Sequence, residues 1–176
     1  MLSDRMQNAL NDQVNAELYS AYLYLSMSAY FQSIDLPGFA KWMRMQALEE
    51  QVHAMKLFDH VIERGGRAIL PAIEGPATEW DSPTAVFENT LAHEQKVTGL
   101  INGLVDLAVE EKDHASNIFL QWFVSEQVEE EATASEVLGK VRRVENVPQG
   151  LLMLDNELGT RTFVVPPTLS VGAAAE

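Results

Sequence analysis

The chain has 176 residues, and 47% of them are hydrophobic, which is enough apolar material to bury the core of one domain. Acidic residues outnumber basic ones by 26 to 12, and the resulting formal net charge of -14 argues against nucleic acid or an anionic membrane surface as a partner. Because there is no cysteine, any bound metal must be held by oxygen atoms and imidazole nitrogens.

The N-terminus has no basic segment followed by an apolar one, and no later apolar run reaches the thickness of a bilayer. We therefore expect a cytoplasmic protein that does not enter a membrane.

Two long helices are predicted in the first third of the chain. The first is capped by Ser3 or Asp4 and ends near Ser33. The second runs from about residue 37 to 64, and the glycine pair 65–66 ends it in a left-handed turn. Both helices are well over twice the usual length in globular proteins, which is typical of a helical bundle.

Residues 67–81 have no helical period and contain two prolines and a glycine. The segment is long enough to cross the length of the bundle, which would make the second and third helices parallel. Its apolar residues indicate a packed strap. They are Ile69, Leu70, Ile73 and Trp80.

A third helix is predicted from Ser82-Pro83 to about Lys112, and a fourth from its cap Asp113 to about Val144. The short connection makes these two helices antiparallel neighbours. A short amphipathic fifth helix follows over residues 148–158, and its apolar face predicts a docking surface between subunits. We expect residues 1–160 to form one domain and residues 161–176 to form a flexible C-terminal tail.

Polar side chains that could hold metal recur on the apolar faces of all four long helices, in two matching sets. They are Glu17, Glu50 and His53 in the first half and Glu94, Gln127 and Glu130 in the second. In both halves the lone glutamate precedes the next helix's pair by 33 residues. Glu50 and His53 are three residues apart, as are Gln127 and Glu130. The members of each pair therefore project from one helix face and can hold the same ion.

These positions are unfavourable for carboxylates unless a cation is present. Burying one ionised carboxylate costs several kcal/mol, and clustered like charges raise one another's pKa. Any one of these glutamates could be an ordinary solvated helix residue. The six matched positions together predict two metal ions, bridged by shared carboxylates, inside an all-α four-helix bundle with one long crossover.

The sequence also resembles a known family, the non-haem bacterial ferritins, over nearly all of residues 1–160. The motifs that carry the resemblance are Glu17 followed by residues 19–25, Glu49-Glu50-Gln51-Val52-His53, Glu94, and residues 122–130. The resemblance implies the ferritin-like fold, with a long crossover from the second to the third helix and a short fifth helix. It also implies an iron-storage function, with Fe(II) and dioxygen or hydrogen peroxide as reactants and a homo-oligomeric shell of 24 subunits.

The resemblance further implies a ferroxidase centre that binds two iron ions. Glu17, Glu50 and His53 would bind one ion, and Glu50, Glu94 and Glu130 would bind the other, with Glu50 as the bridge. The product would be ferric oxyhydroxide stored inside the shell.

Further site residues follow from the same resemblance. Gln127 would be a hydrogen-bonding or weak ligand, and Tyr24 matches a tyrosine that can donate an electron during oxygen reduction. The positions that match a third iron site in bacterial members are Glu49, Glu126, Glu129 and, as a further candidate, Glu130.

Related classes are separated by a few residues. Haem binding of the bacterioferritin type is not expected, because Glu130 stands where the second histidine would be and Val52 does not offer a haem ligand. A rubrerythrin would need cysteine. Two functional alternatives stay open: an enzyme that mainly consumes peroxide with Fe(II), and a shell that assembles but oxidises iron poorly.

Overall fold

The computed structural model describes residues 2–164, and in this range the chain forms five α-helices and no β-strand. They are α1 (Asp4–Ser33), α2 (Pro37–Glu63), α3 (Pro83–Glu110), α4 (His114–Val144) and α5 (Pro148–Leu158). Each helix ends within two residues of its predicted position. Among the described residues, no helix is long and apolar enough to cross a membrane. Most of the predicted C-terminal tail lies outside this range.

Side-chain caps set the starts of three helices, as the sequence predicts. Ser3, Ser82 and Asp113 each accept a hydrogen bond from the backbone N–H three residues later. Such a bond satisfies one of the free donors at a helix start. At the other end of α2, Gly65 has a φ of +75°, the left-handed conformation that glycine adopts most readily.

The direction of each helix follows from contacts at the two ends of α1. Arg5, near the start of α1, pairs with Glu110 at the end of α3 at 2.8 Å. Ser28, near the end of α1, donates a hydrogen bond of 2.8 Å to the carbonyl of Ala40 at the start of α2. Because α1 is antiparallel to both α2 and α3, the latter two are parallel to each other, which confirms the long crossover.

The crossover segment is held to α1 mainly through its backbone. Asn11 donates to the carbonyl of Arg67 at 3.0 Å and accepts from the N–H of Ile69 at 3.1 Å. Trp80 packs on Tyr30, with ring centroids 5.4 Å apart. The prediction of a packed strap is nevertheless wrong for three apolar side chains, which are 40–59% exposed. They are Ile69, Leu70 and Ile73.

Two apolar clusters divide the bundle along its length. One contains Phe31, Phe39 and Phe87 and extends under α5. The other contains Leu57 and Ile101 at the opposite end of the bundle. Along every long helix, the predicted metal-binding residues fall between members of these two clusters. Apolar packing at both ends of the bundle therefore holds the four helices in place around the polar side chains between the clusters.

The fifth helix supplies the missing cap of α2. Leu36, at the N-cap position of α2, makes no side-chain capping bond. Instead, the buried carboxylate of Asp155 accepts hydrogen bonds from the N–H groups of Gly38 and Phe39, at 2.8 and 3.0 Å. A Cβ on Gly38 would lie 1.7 Å from the Asp155 carbonyl oxygen, so only glycine permits this approach. The docking of α5 is thus coupled to the start of α2.

We predict that Asp155→Ala lowers the free energy of unfolding by about 1 to 2 kcal/mol, because two helix N–H groups lose their acceptor and the helix loses a favourable charge. Asp155→Asn is the matched control, since it retains an acceptor oxygen and should be milder. Thermal unfolding followed by circular dichroism, with hydrogen exchange of α5, measures both effects. Equal midpoints for Asp155→Ala and the wild type would contradict the capping role.

Candidate metal centre

Six of the predicted site residues lie buried in the middle of the bundle, with exposed fractions between 1% and 7%. They are Glu17, Glu50, His53, Glu94, Gln127 and Glu130. Each of the four long helices contributes at least one of them, and all belong to the same chain. The structure therefore brings together residues up to 113 positions apart in the sequence.

The half of the centre next to α1 and α2 has the geometry of a metal site. Glu17, Glu50 and His53 offer ligand atoms that all lie within 4.8 Å of one another. His53 Nδ1 is 3.3 Å from Glu50 Oε2. Glu17 Oε1 accepts a hydrogen bond of 2.9 Å from Gln13, whereas Glu17 Oε2 is buried without a hydrogen-bond partner. An unpaired buried oxygen is unfavourable, so this donor set suits a cation.

The half next to α3 and α4 consists of carboxylates held by neutral donors. Glu94 accepts hydrogen bonds from the Tyr24 hydroxyl and, at 3.3 Å, from the amide of Gln127. Glu130 accepts a hydrogen bond of 2.6 Å from the amide of Gln46. These donors fix the orientation of both carboxylates and leave oxygen lone pairs for an ion.

Burial raises the pKa of all four carboxyl groups. The pKa values of Glu17 and Glu50 lie well above the ordinary value, and that of Glu94 is also raised. The charges of Glu94 and Glu130 raise the pKa of Glu50 further. Burial, with the charge of Glu94, raises the pKa of Glu130 to about 8. A bound cation would favour the ionised forms, so the centre is set up electrostatically to take positive charge.

A second, outer group adjoins the centre. Glu49, His53 and Glu126 also offer ligand atoms within 4.8 Å of one another, and here both carboxylates are partly exposed. Burial and the charges of Glu129 and Glu49 raise the pKa of Glu126. Two of the residues predicted for a third ion are thus brought together, whereas Glu129 is exposed and lies outside this group.

Tyr24 lies where the sequence resemblance expects it, beside the centre. Its side chain is fully buried, and its hydroxyl donates to Glu94. Burial and the charge of Glu94 raise its pKa well above the ordinary value, so the phenol is neutral. The centroid of the Trp122 ring lies 5.4 Å from that of the His53 ring.

Sequence reasoning missed several residues that hold the carboxylates in place. Gln13 and Gln46 each precede a buried glutamate by four residues. This spacing places each glutamine on the same helix face as its glutamate, so the sequence could have indicated these contacts. Thr98 donates to Glu131 at 2.5 Å and accepts from the Gln127 amide at 3.3 Å.

Arg161 was missed as well. It lies beyond α5 yet contacts Gln46 and Glu49 on α2. No pattern in the sequence indicated this long-range contact.

Comparisons with known proteins establish the family of the chain. The Ferritin-like domain family matches residues 7–144, which is most of the chain. The chain belongs to this family. The finding confirms the predicted family and, with the helix order and directions, the predicted ferritin-like fold.

Individual relatives of this ferritin-like chain are similar over almost their whole length. A bacterial non-heme ferritin of Bacteroides fragilis (strain 638R) is 45% identical over 161 residues, covering 92% of this chain and 100% of the relative. A probable bacterial non-heme ferritin-like protein of Haemophilus influenzae is 43% identical over 159 residues, covering 90% and 96%.

Two solved structures are also similar over almost their whole length. A closed form of the Archaeoglobus fulgidus ferritin, engineered by site-directed mutagenesis, is 55% identical with a TM-score of 0.92, covering 93% of this chain and 100% of that one. The open pore ferritin of the same archaeon is 55% identical with a TM-score of 0.91, covering 92% and 100%.

The raised pKa values predict that the metal-free protein becomes less stable as the pH rises. Glu130 binds its proton more tightly when folded, with a pKa of about 8 against the ordinary 4.5. Between about pH 4.5 and 8, the folded state therefore binds more protons than the unfolded state. The free energy of unfolding falls as the pH rises through this range. Thermal midpoints of metal-free protein between about pH 5.5 and 8 measure this slope.

Glu130→Gln should make the slope less steep, because a neutral amide of the same shape removes one of the four buried carboxyl groups with a raised pKa. Glu136→Gln, at an exposed site on α4, should leave the slope as in the wild type. A stability that rises with pH in the metal-free wild type would contradict the assigned cause.

Proposed function

We propose that this chain is an iron-storage protein with ferroxidase activity, which oxidises Fe(II) at the buried centre and stores the ferric product inside a shell of 24 subunits. The observation that carries the proposal is the buried set of four carboxylates and one imidazole, drawn from all four long helices of one chain. Membership of the ferritin-like family, and relatives named as non-heme ferritins, support iron as the metal.

The donor set suits the proposed reaction. Carboxylates are hard ligands, and their negative charge favours Fe(III) over Fe(II). Two Fe(II) ions each lose one electron, and dioxygen that takes up two electrons and two protons becomes hydrogen peroxide. Hydrogen peroxide that takes up two electrons and two protons becomes two water molecules. Either oxidant therefore accepts the two electrons that a pair of Fe(II) ions supplies.

Glu50 is the residue best placed to bridge the two ions. Its Oε2 lies 3.3 Å from His53 Nδ1, and its Oε1 accepts a hydrogen bond of 3.5 Å from the Gln46 amide, which also donates to Glu130 at 2.6 Å. One oxygen can thus face each half of the centre. A bridging carboxylate holds two metal ions about 3.5 to 4 Å apart, a separation suited to a two-electron reaction.

Exposed apolar side chains support assembly into a homo-oligomer. On α1 and the crossover segment, five of them are 40–59% exposed. They are Tyr22, Leu25, Ile69, Leu70 and Ile73. On α5, Leu152 and Met153 are 63% and 73% exposed. Grouped apolar surface of this kind is typical of subunit contacts.

We predict that Glu50→Ala combined with Glu94→Ala abolishes rapid Fe(II) oxidation and leaves a folded shell of equal or higher thermal midpoint, because unpaired buried charge is removed. The matched control is Glu88→Ala combined with Glu136→Ala, which removes two exposed, ion-paired glutamates on α3 and α4. Stopped-flow absorbance after mixing with oxygen gives the rate. Wild-type rates in the first double variant would rule out the assigned centre.

We predict that Tyr24→Phe slows Fe(II) oxidation severalfold while the number of bound ions stays the same, because Tyr24 is proposed to donate an electron and does not itself bind an ion. Anaerobic titration measures the number of ions, and freeze-quenched electron paramagnetic resonance detects a tyrosyl radical in the wild type. An unchanged rate together with an unchanged radical signal in Tyr24→Phe would refute this role.

Anaerobic Fe(II) titration followed by oxygen tests the function as a whole. We expect saturation near two or three ions per chain, fast oxidation, and an iron-loaded particle of hundreds of kilodaltons. Fast oxidation in a small particle without mineral would instead indicate a di-iron oxidase. Parallel runs with hydrogen peroxide determine which oxidant the protein prefers.

A further inference from the structure

The first residues after α5 return to the metal centre. The chain passes Gly159 and places the Arg161 side chain against α2. One guanidinium nitrogen lies 2.7 Å from Glu49 Oε2, and another lies 2.6 Å from Gln46 Oε1. The guanidinium carbon lies 4.4 Å from the centroid of the Trp42 ring. Arg161 is thus bound by a carboxylate, an amide and an aromatic face.

The backbone around Arg161 is fixed as well. The N–H of Arg161 donates to the carbonyl of Leu158 at 3.2 Å, and Lys41 donates to the carbonyl of Gly159 at 2.7 Å. The preceding helix is anchored to α2 by the Asp155 cap. Only 20% of the Arg161 side chain and 19% of the Glu49 side chain are exposed. The guanidinium therefore has a defined position beside the outer group.

The position of this charge matters because Glu49 belongs to the outer group. Glu49, His53 and Glu126 offer three ligand atoms to an ion, and Arg161 already binds an oxygen of Glu49. An arginine side chain carries its positive charge throughout the physiological pH range. An incoming cation must therefore displace Arg161 from Glu49 or share the carboxylate with it against charge repulsion.

Arg161 also acts on the inner centre through Gln46. A guanidinium only donates hydrogen bonds, so it holds the oxygen of the Gln46 amide toward itself. The amide nitrogen then faces the centre, where it donates to Glu130 at 2.6 Å. Loss of the contact with Arg161 would remove the constraint that fixes this orientation.

We propose that Arg161 is a built-in counter-ion of the outer site, which lowers the affinity of that site for a third metal ion and positions Gln46 toward the inner pair. That the natural ion is Fe(II) rests on the function proposed above. The competition itself rests only on the contacts of Arg161. Through this competition for Glu49, Arg161 acts as a positioning residue that regulates how readily an ion binds at the outer group.

The test uses Co(II), which binds carboxylates and imidazole and is not oxidised under anaerobic conditions. Calorimetric titration of the assembled protein, with visible absorption of bound Co(II), counts the ions and gives an affinity for each class of site. We expect Arg161→Ala to tighten the weakest of three sites by about three- to tenfold, or to reveal a third site absent in the wild type. The two tighter sites should keep their stoichiometry.

Three variants serve as controls. Arg161→Lys keeps the charge but cannot bind Glu49 and Gln46 together as a planar fork, so its affinity should be intermediate. Arg142→Ala removes an exposed arginine paired with Glu88 and should change nothing. In a Glu49→Gln background, Arg161→Ala should no longer affect Co(II) binding. Thermal midpoints of all variants establish that the fold is retained.

An unchanged or weaker third site in both Arg161→Ala and Arg161→Lys would overturn the proposal. An equal effect of Arg161→Ala in the Glu49→Gln background would also overturn it, since the competition acts through Glu49. Because Co(II) binding is read without oxidation, a protein that shows the expected tightening but does not oxidise Fe(II) would refute the proposed function and leave this inference standing.

Discussion

Four carboxyl groups buried close together in the middle of a helical bundle set the main constraint on this protein. Apolar packing on both sides has to compensate for the desolvation of these groups, which explains why each long helix carries polar residues between two apolar clusters. Long helices follow from the same constraint, since a short bundle could not place an apolar cluster at both ends. Neutral donors such as Gln13, Gln46 and Tyr24 satisfy some of the oxygens and leave others free.

The two halves of the centre are similar in backbone and different in chemistry. The first half pairs Glu50 with His53, whereas the second pairs Gln127 with Glu130. The amide of Gln127 donates to Glu94 and so behaves as a support for a carboxylate. The two halves of the candidate centre therefore differ: only the first has an imidazole. Under the proposed function, unequal donor sets of this kind would give two ions different affinities.

The C-terminal part of the chain links the bundle surface to the centre. Asp155 caps α2 from α5, and Gly38 makes the close contact possible. A few residues later, Arg161 contacts Glu49 at the edge of the candidate metal centre. The fifth helix thus contributes to the start of α2, and the segment after it contributes a positive charge to the outer group. Leu152 and Met153 lie exposed on the same short helix.

The sequence by itself determined the helices, their caps and the polar residues that line the candidate centre. Helical period, capping residues and proline or glycine breaks are local signals, and Ser3, Ser82 and Asp113 cap as local rules require. The candidate pairs Glu50/His53 and Gln127/Glu130 were predictable as buried neighbours because i, i+3 spacing on an apolar face is also a local pattern. Gln13 and Gln46 carried the same kind of signal, at i, i+4 spacing.

Only the tertiary structure decided which distant groups meet. Asp155 and Gly38 are 117 residues apart, and Arg161 and Glu49 are 112 apart. No local spacing encodes such contacts, because they depend on where α5 docks against α2. The exposure of Ile69, Leu70 and Ile73 has the same origin, since hydrophobicity alone does not indicate whether a side chain faces its own chain or solvent.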